Sequence, residues 1–359
     1  MVLTGAYAYI QWAQEAVFNV TAFCAPAAKD KNAFGFEQKV SSLQFTNNKI
    51  PLSQLGDVQV KTFAYGQTQG SFSIEFVLAN AWFFNLLGFS TLSTCGVADP
   101  VTHSWAVDTT TATLDPHSFS MEVGFENGGS DILRTVTGAL IGSASFSTSV
   151  GETVKVSLDA AFANEAVTTG ACVLDACNAT QSICDNIPYT FAHGGLYWCI
   201  AACDAAIAEV QDVSFSIGHN TEHLWGIGNS VAVDKYRRLF ELTGNFKLTF
   251  EDVSELTKIF AQQNDTRCNL ACAPALAVSQ PTLRLIFWNG VGTDTGGGNI
   301  TAAAGTRLIR IDLTGIAIDS HSVNIEPNEP IFEDLPFQAA GISITAVNGV
   351  VAASVPAAT

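Results

Sequence analysis

An ordered series of landmarks recurs in the two halves of the sequence, and this internal repeat constrains the fold more than any other feature. Phe125-Glu-Asn-Gly128 aligns with Phe287-Trp-Asn-Gly290, and Thr137-Gly138 aligns with Thr314-Gly315. The landmarks keep their order while the offset drifts between about 162 and about 177 positions, which short loop insertions explain. Alternation alone could align any two β-rich stretches, but it does not explain the matched glycines. We therefore predict a duplicated chain.

The start of each half fits the same alignment. Leu43 is matched with Phe215 in one segment, and Gly70 falls on Gly244 in the next. Segments with period-two alternation of apolar and polar residues predict half-buried strands at 119–125, 154–159, 246–250 and 283–287.

Helical candidates are few, namely Ala81–Leu87, Ser254–Gln263 and Tyr9–Phe18. The predicted class is mainly β, with one short flanking helix in each half.

The repeat also predicts how the chain is divided. We expect an N-terminal arm at 1–33, a first repeat at 34–168 and a cysteine-rich linker at 169–187. The second repeat is expected at 188–349, followed by a loose apolar tail at 350–359.

The charge balance disfavours several classes of partner. Sixteen Lys and Arg against 33 Asp and Glu give 359 residues a net charge of −17, and no three basic residues are consecutive. Tight nucleic-acid binding and binding to anionic membranes both need clustered basic residues. The longest nearly apolar run, 76–89, is too short for a membrane helix, which needs about 20 residues. The first dozen residues lack the charged and apolar regions of a signal peptide, so we expect no standard secretion.

Cysteines are unusually frequent and clustered. Disulfide bonds are the favoured interpretation, although Cys199, Cys203, Cys268 and Cys272 also have a spacing that zinc sites permit. The odd count leaves at least one thiol free or paired between chains, and the pairing cannot be read from the sequence. The nine candidates are Cys24, Cys95, Cys172, Cys177, Cys184, Cys199, Cys203, Cys268 and Cys272.

No catalytic constellation stands out. The string His219-Asn-Thr-Glu222-His223 has the H-x-x-E-H pattern of inverted zinc peptidases. That pattern needs a helix, whereas this string follows an alternating strand and Gly218, so a polar strand-to-turn segment is the better interpretation. We expect a protein that is not an enzyme and that has no cofactor.

Several strings together resemble the tail tube proteins of tailed bacteriophages and archaeal viruses. They are the opening segment 1–15, the segments 69–80 and 119–126, and the segment 134–147 followed by Gly151-Glu-Thr-Val-Lys-Val156. Each string is weak alone, and their order carries the resemblance. The cysteine-rich stretch 172–203 and the Cys268–Cys272 insert depart from it and suggest an extremophile host.

The resemblance implies two tandem β-barrel or β-sandwich units that form rings stacked into a tube. A duplicated chain would form a trimeric ring with pseudo-sixfold symmetry, and three chains of charge −17 would give the ring −51. Its acidic lumen would repel phosphate and conduct the viral genome. Acidic strand positions are the lumen candidates, namely Glu75, Glu122 and Asp159, while Trp12 and Phe18 of the arm are candidates for contacts between rings.

The same resemblance implies the partners and location. The chain would assemble in the host cytoplasm with itself and with tape-measure, tail terminator and baseplate proteins, and would reside in the virion tail. Double-stranded DNA would pass through transiently, and no membrane would be bound. Two alternatives remain open: a secreted or surface β-sandwich of the S-layer or adhesin kind, and the inner tube of a contractile injection particle.

Overall fold

The computed structural model describes residues 8–20, 32–55, 58–87, 89–95, 101–107, 116–125, 131–170, 188–199, 203–207, 210–249, 281–318, 320, 322–324 and 331–348. These residues form mostly β-strands, which confirms that the chain is mainly β. The expected tail at 350–359, the linker residues 171–187 and the candidate helix Ser254–Gln263 lie outside the described residues.

Residues 8–170 contain eleven of the described strands. They are β1 (Ala8–Gln14), β2 (Phe36–Asn47), β3 (Ile50–Leu52), β4 (Thr62–Ala64), β5 (Thr68–Val77), β6 (Phe89–Cys95), β7 (Val101–Val107), β8 (Phe119–Phe125), β9 (Asp131–Ser149), β10 (Lys155–Phe162) and β11 (Asn164–Gly170).

Residues 188–348 contain the other fourteen described strands. They are β12 (Gly194–Cys199), β13 (Cys203–Ala206), β14 (Val210–Gly218), β15 (Thr221–Leu224), β16 (Asp234–Arg237), β17 (Glu241–Thr249), β18 (Thr282–Trp288), β19 (Thr293–Asp294), β20 (Ile300–Thr301), β21 (Leu308–Thr314), β22 (Ala317–Ile318), β23 (Ser322–Asn324), β24 (Phe332–Ala339) and β25 (Gly341–Asn348).

One main sheet runs through both repeats in the order β2-β5-β10-β9-β14-β17-β24-β22, with β23 also paired to β24. A first flanking sheet, β1-β8-β9-β11, shares the long strand β9 with it. A second flanking sheet has the order β13-β12-β18-β21-β25-β7-β6. The described strands form no closed barrel, because β2 and the β22–β23 pair end the main sheet on its two sides.

Equivalent pairings in the two repeats agree with the duplication. Strands β1, β8, β9 and β11 pair in the same order as β12, β18, β21 and β25. In both repeats the chain passes from the flanking sheet into the main sheet at a glycine with positive φ, 64° at Gly138 and 68° at Gly315. A glycine is required there because other residues rarely adopt this conformation. The match of Thr137-Gly138 with Thr314-Gly315 therefore has a structural basis.

The predicted match of Leu43 with Phe215 at the start of the repeats is wrong by two residues. Phe45 lies opposite Gly70, and Phe215 lies opposite Gly244, so Phe45 rather than Leu43 is the counterpart of Phe215. A shift of two residues keeps the same side chains facing the core, since strands have period two. The alternation of the sequence cannot detect such a shift.

Of the expected helices, Ala81–Leu87 is confirmed as a short 3₁₀ helix, Trp82–Leu87, whose six residues are all buried. The prediction of a helix at Tyr9–Phe18 is wrong, because Ala8–Gln14 is strand β1, paired with β8 along its whole length. Partnering with a neighbouring strand satisfies the backbone of this segment, so its local pattern does not decide its structure.

The two predicted repeats share one hydrophobic core, and their parts of the main sheet are joined edge to edge. Strand β14 pairs with the second half of β9, and across this joint the Phe146 and Phe215 rings stack with centroids 4.6 Å apart. A single buried cluster contains residues from the main sheet and from both flanking sheets. Within the cluster, Phe72 of β5 meets Phe119 of β8 edge to face at 6.3 Å. The joint thus continues the sheet without a break.

Candidate functional site

The main sheet has one face packed on the core and one face, here called the open face, that carries polar side chains. Along each strand the buried residue alternates with a more exposed one, as in Phe72-Ser73-Ile74-Glu75. Serine recurs on the exposed side of four neighbouring strands, at Ser71, Ser73, Ser143, Ser145, Ser147, Ser157, Ser214 and Ser216.

The open face is continuous across the joint between the repeats. One cross-strand row runs from β2 to β24 through Lys39, Glu75, Ser157, Ser145, Ser216, Thr243 and Gln338. Ser145 and Ser216 lie opposite each other at the joint, and Ser216 Oγ lies 3.0 Å from Thr243 Oγ1. Hydroxyl groups of this kind bind water and carry no charge.

Two of the three predicted lumen residues lie on this face. Asp159 accepts hydrogen bonds from Ser73 Oγ at 2.5 Å and from Ser143 Oγ at 2.9 Å. Glu75 is exposed, and its Oε2 lies 3.4 Å from Lys39 Nζ. Lys155, on the same face, has its Nζ 2.8 Å from Glu152 Oε2. The positive charges of Lys39 and Lys155 are thus both close to a carboxylate.

The third predicted lumen residue, Glu122, lies elsewhere. It is on β8 in the first flanking sheet, only 7% exposed, and its Oε1 accepts hydrogen bonds of 2.6 Å from Tyr9 Oη and Gln11 Nε2. A carboxylate buried among donors of its own chain cannot line a channel. We therefore remove Glu122 from the lumen candidates.

The two arm candidates also contact their own chain. Trp12 is 2% exposed and packs in the core, with its ring 5.7 Å from that of Phe34. Phe18 is half-buried, and its ring lies 5.9 Å from that of His223. Trp12 is therefore buried in its own chain and not available as a candidate for contacts between rings, because β1 is an integral strand of the first flanking sheet.

A buried carboxylate that the sequence analysis did not select lies directly after β1. Glu15 Oε1 accepts hydrogen bonds of 2.8 Å from Ser120 Oγ and from the backbone N–H of Gly138, and Oε2 accepts one from the N–H of Asn19. Burial raises the pKa of Glu15, and the hydrogen bonds oppose that rise. Glu15 thus fixes the turn after β1 to the glycine where β9 changes sheets. A lone glutamate in the sequence gives no signal of this role.

The two end strands of the main sheet and two hairpins are further features through which copies could associate. The first hairpin, β3–β4, connects β2 to β5, and the second hairpin, β15–β16, connects β14 to β17. The two occupy equivalent positions in the repeats. Edge strands expose unpaired backbone groups, which proteins usually cover or pair.

Residues 5–339 match the model of the phage tail tube protein family. The match spans nearly the whole chain, from before β1 to the end of β24, and it includes the β9–β14 joint. The chain belongs to the phage tail tube protein family. It is a structural protein of the virion tail, as the resemblance of the sequence predicted. Comparison with curated proteins gives no match.

In this tail tube protein, the H-x-x-E-H string does not lie on a helix. His219 follows β14 and His223 lies on β15, where both rings are buried. The pKa of His219 falls to about 3, mainly because of burial and also because of the charge on Arg237. His223 Nε2 lies 2.8 Å from the carbonyl oxygen of Gly138. Among the described residues, no three His, Cys, Asp or Glu side chains are grouped as metal ligands.

Three of the nine cysteine candidates of the tube protein, Cys95, Cys199 and Cys203, lie in the described strands. Cys24, Cys172, Cys177, Cys184, Cys268 and Cys272 lie outside the described residues. Cys95 ends β6, Cys203 begins β13, and Cys199 is buried at the end of β12, where its Cα pairs with that of Cys203 in the register. No helix in the described part of the chain is long and apolar enough to cross a membrane.

Proposed function

We propose that three copies of this tail tube protein form a ring of six repeats, and that stacked rings form a tube conducting the viral genome. The observation that carries this proposal is the β9–β14 joint. It connects the last main-sheet strand of one repeat to the first of the next, antiparallel and in continuous register. The edges left at β2 and β22–β23 are the same two kinds of strand. If the same kind of pairing joined neighbouring chains, β2 of one chain would pair with the β22–β23 edge of the next, and no edge of the main sheet would stay unpaired.

Closure of this kind yields a wide barrel. Each chain supplies eight strands along the main-sheet path, so three chains supply about 24. Barrels of about 16–18 strands already leave an aqueous channel. Three chains would therefore enclose a lumen, whereas the eight strands of one chain alone could enclose only a side-chain core or a small ligand.

The open face would line this lumen. Its serines, with Asp159 held between two of them, offer hydration and negative charge at a surface that duplex DNA must pass. Lys39 and Lys155 lie next to carboxylates, which reduces their attraction for phosphate. With a net charge of −17 per chain, the ring would repel DNA as a whole. We infer that the genome slides through without being held.

Stacking of rings would use the tips of the two hairpins, in place of the buried Trp12. Leu55 in the first hairpin and Ile227 in the second are fully exposed apolar side chains. Exposed apolar groups on a monomer often mark surfaces that are covered in the assembly. Tape-measure, terminator and baseplate proteins would contact the two ends of the tube.

Electron microscopy of the purified full-length chain, concentrated without reductant, tests the proposal. We expect hollow tubes or rings with threefold or sixfold views. Single particles under conditions that also include a tail initiator complex would contradict it. That result would favour the surface β-sandwich alternative.

Disulfide bonds among the nine cysteines belong to the same proposal and would stiffen the particle outside the cell. Closing a long loop contributes roughly 3–4 kcal/mol in the chain-entropy model. Strong reductant should therefore lower the melting temperature without abolishing the fold. An unchanged melting temperature would show that the cysteines are not disulfide-bonded.

A further inference from the structure

Within the chain, the second hairpin rests on the point where β9 of the first repeat changes sheets. We call that segment, Thr137–Ile141, the first crossing. Thr221 Oγ1 donates to the carbonyl oxygen of Ile141 at 3.0 Å, and His223 Nε2 lies 2.8 Å from the carbonyl oxygen of Gly138. At the adjoining Gly142, the carbonyl oxygen accepts a hydrogen bond from the backbone N–H of His219 at 2.8 Å. The hairpin of one repeat thus covers the crossing of its neighbour.

The second repeat has the same crossing without a cover from the described part of the chain. The second crossing, Thr314–Ile318, has equivalent pairings: Leu140 lies opposite Ala161, and Ala317 lies opposite Gln338. Leu140 and Ile141 are 1% and 2% exposed. Their counterparts Ala317 and Ile318 are exposed and half-buried. In the parts of the chain that the structure describes, a hairpin covers the first crossing and none covers the second.

Among the described residues, the first hairpin is not seated on a crossing. Its base contacts the second hairpin, where the backbone N–H of Thr68 donates to the carbonyl oxygen of Ser230 at 2.7 Å and Ile50 lines one cavity with Gly228 and Ser230. Its apolar side chains Ile50, Leu52, Val60 and Phe63 are all exposed, by 46–59%. It follows β2, one free edge of the main sheet, whereas the second crossing leads into β22 at the other free edge. Within the described part of the chain, an exposed apolar hairpin and an exposed apolar seat therefore lie at opposite edges of the main sheet.

We propose that the first hairpin of one copy covers the second crossing of an adjacent copy in the same ring, at Thr314–Ile318. The partner that covers the second crossing is a second copy of this chain. The equivalent first crossing is already covered by the second hairpin of the same chain, and the first hairpin is the counterpart of that hairpin. The proposal rests on the ring proposed above and specifies a contact within it. This contact explains why the strands of the first hairpin carry exposed apolar side chains, because these side chains meet Ala317 and Ile318 of the adjacent copy.

Photocrosslinking tests the contact directly. We would place p-benzoylphenylalanine at Pro51, assemble the chain, irradiate it and identify cross-linked peptides by mass spectrometry. Pro51 lies opposite Phe63, and Thr221 lies opposite Arg237, at equivalent points of the two hairpins. The matched control therefore carries the probe at Thr221, where we expect cross-links within one chain to the first crossing. From Pro51 we expect cross-links between chains to the peptide that contains residues 314–318.

A pair of substitutions gives a second readout. Ala317→Arg places a large charged side chain on the seat, and Ala304→Arg places the same side chain on an exposed turn of the same repeat. Both variants should melt at the temperature of the unmodified chain. We expect Ala317→Arg to abolish rings in micrographs and Ala304→Arg to leave them.

The outcomes separate this inference from the ring itself. Rings whose Pro51 probe labels only other segments, or rings formed equally by both arginine variants, would overturn the hairpin contact and leave the ring intact. Failure of the unmodified chain to form any ring with its initiator would overturn the proposed function and the contact with it.

Discussion

Trp12 and Trp198 occupy the same position in the two repeats. Trp12 lies opposite Met121 in the β1–β8 pair, and Trp198 lies opposite Leu283 in the β12–β18 pair. Leu283 follows Met121 by 162 positions, the same offset that separates Phe125 from Phe287 in the sequence repeat. The predicted duplication would therefore include the first strand, which lies within the arm expected at 1–33.

Replacing either tryptophan should cost similar stability, because both are buried in equivalent flanking sheets, at 2% and 3% exposure. Trp12→Ala and Trp198→Ala should each lower the free energy of unfolding by about 3–5 kcal/mol, the usual cost of such a truncation in a core. Chemical denaturation would measure the loss, with exposed Leu55→Ala as the control. A loss below 1 kcal/mol for one of them would mean that the two sites are not equivalent.

Acid should destabilise the fold through His219. Its folded pKa of about 3 lies below the usual histidine value of 6.5, so the unfolded chain binds the proton more readily. Stability is therefore full above pH 6.5 and falls as the pH drops toward 3, by at most about 1.4 kcal/mol per pH unit. His219→Phe keeps a ring beside Phe240 and should flatten this dependence. Equal pH profiles for the two proteins would count against a neutral buried His219.

Glu15 should act in the opposite direction. Because burial raises its pKa in the folded chain, the folded state binds the proton more readily than the unfolded state. Its effect on stability is favourable at low pH and is lost as the pH rises from the usual glutamate value through the raised one. Glu15→Gln should remove this component, as thermal melts of both proteins across that range would show. If Glu15→Gln keeps the same pH dependence of stability as the unmodified chain, that dependence comes from another titratable group.

Positive charge on the open face should make the tube retain DNA. Ser145 and Ser216 face each other across the joint, so the double variant Ser145→Lys with Ser216→Lys concentrates charge at one point. We expect tubes that assemble normally but bind duplex DNA in a salt-dependent manner. A filter-binding titration measures this, with Ala304→Lys as the control. If the control tubes bind DNA equally well, the open face does not line the lumen.

Polar hairpin tips should weaken stacking without preventing ring formation. Leu55 and Ile227 are fully exposed, so Leu55→Ser with Ile227→Ser should leave the melting temperature unchanged. We expect isolated rings or short stacks in micrographs, because the apolar contact between rings is reduced. Val150→Ser, an exposed apolar residue in the β9–β10 turn, serves as the control. Tubes of normal length from the double variant would assign stacking to another surface.

The sequence predicts the class and the order of the repeats because glycines with positive φ and alternating strands leave local signals. Gly138 and Gly315 are an example, since few other residues adopt their backbone conformation. Relationships decided by distant partners leave no such signal. The β9–β14 joint, which makes one sheet of two repeats, depends on long-range pairing.

The candidate site shows the same limit. Glu75 and Glu122 both lie in alternating segments, but only Glu75 is on the open face, because β8 belongs to the first flanking sheet and pairs with β1. Alternation assigns a residue to one side of its strand, but it does not tell which sheet the strand joins. Tyr9 and Gln11, the donors to Glu122, could be found only once β1 was placed.

The number of chains per ring tests the central claim most directly. A cryo-electron microscopy reconstruction of assembled tubes would count the chains and trace β2 of one chain to its neighbour. We predict three chains and six repeats per ring, with β2 paired to the β22–β23 edge of the next chain. Six chains per ring, or free β2 edges in the assembled tube, would contradict the account.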